Sequence, residues 1–428
     1  MNSEASSRSI SKVYYSRIEL LKEDKAFSME KLCAFFLVLT PILQHYKGPL
    51  MNAGVSILIL FFPFILMKLL YKMRKFKPAD LGVVVMLIVF SLYKVVDHGP
   101  SFYDLAHGIL IIAYYMAIAL GCIKVKHLVK SAYYVAVGAS VCIILQYIFF
   151  YAFGFHLQLS PTSLLLPGSS RWILGAQTGV AGSLRNLYRP SAFFLEPSHM
   201  FLYIFPHLFM MLLSLNSNRR KIRRALLFTL ALLLSTSGMG IAVAASAWAL
   251  FLGLSSGKDN IIRLKYILKP RNMLILMVLF IFLIGVYFTV PVFTKSIDRI
   301  IGGNPGSNAI SGRTTRSITL IKRFTGTKLL FGVSDPTYDI EFNMPGFMGT
   351  IYLYGLIGTV LSYGFYVRGL FKLKAEYFWI SFVIILVSFF SAHTHGTFYM
   401  LYYVIILLEG NNQLRMPKSN SLVAQIPR

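Results

Sequence analysis

The chain has 428 residues, 56% hydrophobic and only 14% charged, with a mean hydropathy of +0.65, which excludes an ordinary soluble globular domain. Its net charge is +26; membrane proteins gather Lys and Arg on cytoplasmic loops, so the basic excess does not by itself point to nucleic acid. The three cysteines, Cys33, Cys122 and Cys142, stand singly in apolar runs and argue against a disulfide framework or a metal cluster.

The first 30 residues are polar and charged, with no small-residue cleavage site, so the first apolar run is expected to act as an uncleaved signal anchor. Apolar runs of about 15–22 residues then recur along the chain, as helices that cross a bilayer require. They predict spans at 32–46, 50–70, 80–96, 102–122, 131–154, 192–214, 222–236, 238–255, 272–291, 347–367, 377–392 and 396–409. The expected fold is an all-α integral membrane protein, a polytopic bundle of about 12 transmembrane helices with two large outer loops. Residues 1–30 form a cytoplasmic tail, 31–410 the transmembrane domain and 411–428 a second cytoplasmic tail. With the N-terminus inside, the basic segments Lys68 to Lys77, Lys124 to Lys130, Arg219 to Arg224, Lys258 to Arg271 and Arg368 to Lys374 all fall on the cytoplasmic side. No segment breaks the alternation.

Between the basic flanks of 222–255 the number of crossings must be even. Two short helices turning at Ser235-Thr-Ser-Gly238 satisfy this, and so does a re-entrant hairpin. The outer loops run over 155–191 and 292–346, and loops so long are usually functional or disordered. Amphipathic stretches such as Ser317 to Phe324 predict short helices at the interface. In the span at 347–367, Gly346, Gly349, Gly355 and Gly358 are separated by multiples of three, which allows close helix packing in lipid.

On this topology the outward acids are Asp97, Asp104, Glu196, Asp298, Asp335, Asp339 and Glu341. Outer basic residues outnumber them. The first loop carries Arg171, Arg185 and Arg189; the second carries Lys295, Arg299, Arg313, Arg316, Lys322, Arg323 and Lys328. Guanidinium groups grip phosphate oxygens with paired hydrogen bonds and stabilise a departing pyrophosphate; binding of lipid head groups is the alternative. The segment Arg189-Pro-Ser-Ala-Phe-Phe-Leu-Glu196-Pro-Ser-His199 sets an Arg, a carboxylate and an imidazole at a span entrance. Glu196 is either an N-terminal cap ahead of Pro197 or, with His199 on nearly the same helix face, an acceptor of a proton from an attacking hydroxyl. A third option is that it orients Arg189 or a sugar. His393 and His395 form a His-x-His without carboxylate or Cys partners, a weak metal signal, and no metal site is expected.

The Arg-Pro-x-x-x-Phe-x-Glu-Pro-Ser-His segment after a long outer loop resembles the Wzy-type polymerases of bacterial surface polysaccharides. So does the second loop, with Ser311-Gly-Arg-Thr-Thr-Arg316 and Leu329-Leu-Phe-Gly-Val333 ahead of a Gly-rich span. The resemblance covers about 130–410. It implies a GT-C-like glycosyltransferase in the inner membrane with its active site facing the periplasm. Such an enzyme transfers a growing glycan from undecaprenyl diphosphate to the sugar end of a fresh undecaprenyl-diphosphate-linked oligosaccharide repeat unit. The product would be O-antigen, capsule or exopolysaccharide.

The resemblance also implies no metal and no nucleotide-sugar cofactor. Membrane lipids surround the chain, and a chain-length regulator and a flippase are implied partners. Arg189, Arg313 and Arg316 match the family's periplasmic arginines and are implied to bind pyrophosphate. Arg171 and Gly182 are spaced like an Arg-x10-Gly pattern of related loops. The expected catalytic set is Glu196, His199 and Arg313; Arg171, Arg185, Arg189, Arg316 and Arg323 are the expected pyrophosphate or glycan ligands. Related O-antigen ligases carry a His-Asn pair where this chain reads Glu341-Phe-Asn343-Met-Pro-Gly, so polymerase is preferred over ligase. A flippase is the reading from another class; a proton-coupled transporter needs acids or His chains at mid-membrane, and counting the acids finds none there.

Overall fold

The computed structural model describes residues 28–47 (apart from 45), 52–72, 122–159, 188–213, 219–253 (apart from 236), 317–332, 346–370 and 375–390. It also describes Thr315, Met344 and scattered positions within 109–117 and 270–294. The described residues are mostly helical and contain no β-strand, only an isolated bridge between Lys47 and Asn52. The spans expected at 80–96 and 396–409 lie outside them, as do most residues of those at 102–122 and 272–291.

Helix α1 (Met29–Leu43) starts on Ser28, whose Oγ accepts the Lys31 backbone N–H at 3.3 Å. Helix α2 (Ala53–Lys72) starts on Asn52, whose Oδ1 accepts from the Val55 N–H at 2.8 Å. Helix α3 (Val125–Phe153) begins six residues before the expected span and takes in the basic segment Lys126 to Lys130. Backbone hydrogen bonding carries a helix past the end of its apolar run, so the basic residues form its first turns rather than a loop. Residues 53–71 and 125–153 are long and apolar enough to cross a membrane.

Helix α4 (Pro197–Leu213) is the hub of the fold, packing against α3, α5 (Arg219–Leu234), α6 (Gly238–Gly253) and α9 (Ala375–Phe390). Its residues Met200 to Met210 are buried without a break. A helix apolar on all sides belongs in the middle of a bundle, and this one is there. Helices α5 and α6 form a tight hairpin: Ser235 Oγ donates to the Leu232 carbonyl, Ser237 Oγ accepts the Gly240 N–H, and Trp248 Nε1 donates to Thr229 Oγ1 at 2.9 Å. Each arm has 16 residues, about 24 Å against a hydrocarbon core of about 30 Å.

The packing gives the bundle two distinct ends. Glu30 in the first turn of α1 accepts the Lys124 backbone N–H at 2.8 Å and lies 3.8 Å from Lys68 Nζ. One carboxylate thus joins the starts of α1 and α3 to the last turns of α2. Arg224, near the start of α5, lies over the Tyr133 ring at 5.4 Å and belongs to the same basic end. At the opposite end Tyr46, Ala53 and Leu195 pack together, joining the α1–α2 turn to the segment ahead of α4.

Short helix α7 (Thr327–Phe331) rests on α8 (Gly346–Leu370), and α8 packs on α9. Helix α8 is broken at Gly355, where φ is +65°. A Cβ there would run into the Leu330 carbonyl and the Phe331 nitrogen. The glycine is required twice, by its backbone conformation and by the close approach of α7.

Helix α3 has a buried face of Leu128, Ala132, Ala136, Ala139, Ile143 and Gln146, largely small residues at helical spacing. Its other face exposes Val141, Leu145, Ile148, Phe149 and, at 71%, Phe153. On α2, Leu60 is 73% exposed and Leu70 64%. Small residues inside and large apolar ones outside is the reverse of a water-soluble helix, and it suits packing in lipid.

Candidate functional site

At the end opposite the basic cluster, residues 188–196 form a strap leading into α4. Its turn is hydrogen-bonded to Gln146 of α3, only 4% exposed. Gln146 Oε1 accepts the Ala192 N–H at 2.8 Å, and its Nε2 donates to the Ala192 carbonyl at 3.3 Å and to the Leu157 carbonyl at 3.0 Å. Ala192 sits at φ +53°, the left-handed region, which costs an alanine about 1–2 kcal/mol. The two bonds from Gln146 hold that conformation. Ser191 closes the turn beyond it, its Oγ donating to the Phe194 carbonyl at 2.8 Å and its own carbonyl accepting from the Phe194 N–H at 3.0 Å.

Helix α4 therefore starts at Pro197, five residues later than the apolar run that begins at Ala192. The left-handed turn and Pro197 at the first helical position set the start. Glu196 stands in the N-cap place, its carbonyl accepting the Met200 N–H at 3.2 Å and the His199 N–H at 3.1 Å. Its carboxylate does not cap the helix; Oε2 accepts from Ser198 Oγ at 2.9 Å. Among the described residues Oε1 has no protein partner. A carboxylate so held can accept a proton or a sugar hydroxyl through Oε1.

The first turn of α4 brings His199 beside Glu196, both half-buried. Arg189 is half-buried on the same strap. Arg323 is exposed in the turn after the short helix at 317–321, its N–H donating to the Leu320 carbonyl at 3.1 Å. No hydrogen bond or ion pair joins Arg323 to Glu196. Arg171, Arg185, Arg313 and Arg316 lie outside the described residues, as do Gly182, Asn343, His393 and His395. No group of three or more metal-binding side chains occurs among the described residues.

Three residues near or below the strap escape a reading based on charge. Gln146 was visible as an amide inside an apolar run, the kind of polar group that needs a partner in a membrane. Tyr188 is 2% exposed and stacks on Phe150 at 4.3 Å; burial pushes its phenol up to about 12, so it stays protonated. His207, midway along α4 and buried between Tyr133 of α3, Tyr203 and Phe228 of α5, was missed because only acids were counted. Its signal was an imidazole in an otherwise apolar run. No family model matches this chain, and no curated protein matches it.

Proposed function

We propose that the chain is a membrane-embedded polymerase of lipid-linked glycan repeat units, a multi-pass protein of the bacterial inner membrane with about 12 spans. The growing glycan passes from undecaprenyl diphosphate to the sugar hydroxyl of a fresh lipid-linked unit at the periplasmic face. The observation that carries the reading is the strap. It sets Arg189, Glu196 and His199 at the head of the central helix, at the end away from Glu30, Lys68, Lys124 and Arg224. Basic ends face the cytoplasm, so the strap's end belongs outside. The reversed polarity of α3 supports a lipid environment.

In this reading Glu196 takes the proton of the acceptor hydroxyl through its open Oε1, while Arg189 and the second-loop residues Arg313 and Arg316 hold the leaving pyrophosphate. Chains carrying Glu196→Gln at normal protein level should leave surface glycan mostly one unit long, a loss of about a hundredfold or more in transfer. Long chains from that variant would move Glu196 from proton acceptor to positioning residue. Arg313→Ala should likewise shorten the glycan. A flippase is the second reading, and one observation favours it: His207 puts a titratable ring inside α4 at 1% exposure. Unflipped repeat units on the inner face of a deletion strain would support it.

A further inference from the structure

Two buried polar atoms beside the strap have no hydrogen-bond partner, Tyr188 Oη and His156 Nε2. Their rings are in contact, centroids 4.8 Å apart and 79° between planes. Phe150 fixes both: it stacks flat on Tyr188 and meets His156 edge-on at 6.3 Å. The Gln146 bonds to Leu157 and Ala192 hold the backbone on either side of this trio. Each buried polar group left unsatisfied costs about 1–3 kcal/mol, so two on touching rings in a braced cluster call for an occupant.

We propose that Tyr188 Oη and His156 Nε2 form a hydroxyl-recognising subsite that takes the sugar next to the pyrophosphate of the lipid-linked substrate. The proposal rests on the lipid-linked glycan reading above. A neutral phenol donates and accepts, and an imidazole does one at each nitrogen; a hydroxyl, which does both, complements them. A phosphate oxygen fits worse, because burying its charge away from a cation costs far more than burying a hydroxyl. Arg189, the next residue along the strap, supplies the cation that the adjoining diphosphate needs. Sugar and diphosphate are covalent neighbours in the substrate, as Tyr188 and Arg189 are in the chain.

The test uses the full chain in lipid nanodiscs and two probes, undecaprenyl diphosphate and undecaprenyl-diphosphate-linked N-acetylglucosamine. The native chain should bind the sugar-bearing probe about tenfold more tightly or better. Tyr188→Phe should abolish that preference and leave affinity for the bare diphosphate unchanged. Its melting temperature should not fall, because the hydroxyl has no protein partner to lose. His156→Phe, which keeps an aromatic edge against Tyr188, should weaken the same probe. Equal affinities in the native chain, meaning a buried water only, would overturn the subsite. So would a preference that survives both substitutions. Chain lengthening, read in the same nanodiscs with lipid-linked repeat units, is a separate outcome: its absence with the sugar preference intact removes the polymerase and leaves the subsite.

Discussion

Gln146 satisfies three backbone groups with one carboxamide, and two of them belong to an alanine in the left-handed region. Gln146→Ala leaves those groups buried and unpaired, and the expected destabilisation is roughly 3 kcal/mol. Gln146→Glu keeps the bond from the Ala192 N–H but sets a carboxylate oxygen against the Leu157 and Ala192 carbonyls, so its melting temperature should also fall well below that of the native chain. Thermal melts in nanodiscs check both variants; equal melting temperatures for all three would remove Gln146 as the clamp. At this scale the sequence showed charge better than it showed contacts. The Arg189 to His199 segment was legible because ionisable groups stand out in an apolar chain. Gln146 stood out only as an amide in an apolar run, and Tyr188 not at all, because their roles lie in partners, or a missing partner, across the fold.

Elements were legible in their middles and less so at their ends. The expected spans at 50–70 and 377–392 correspond to α2 and α9 with shifts of two or three residues. Helix α3 starts early because basic residues are good helix formers, and α4 starts late because Ala192 and Pro197 determine its entry. Helices α5 and α6 form a compact hairpin, which fits the expected pair of short helices and the re-entrant alternative alike. Gly355 allows a close helix approach as expected, that of α7, and beyond that expectation it breaks α8 at the crossing. Gly355→Ala should therefore destabilise the α7–α8 contact by about 2 kcal/mol or more, combining left-handed strain with a clash against the Leu330 carbonyl. Proteolytic cleavage between Phe324 and Phe331 should become faster in that variant; an unchanged rate would contradict the close approach.

Across the whole molecule, the helical class and the apolar character follow from composition, and the arrangement of ends follows from packing. Glu30 gathers three helix ends at the basic pole, and Leu195 ties the strap to the α1–α2 turn at the other. Lys68, Lys124 and Arg224, from three of the five basic segments expected on one side, lie at one end of the bundle. The arginines of the long loops were anticipated only as residue types, and most of them fall outside the described residues. The measurement that bears most directly on the polymerase is the length distribution of surface glycan in cells with and without this chain. The account predicts glycan one repeat unit long in its absence, with the ladder of long chains restored by the native chain. A normal ladder without the chain, or long polymers left unattached to their acceptor, would contradict it.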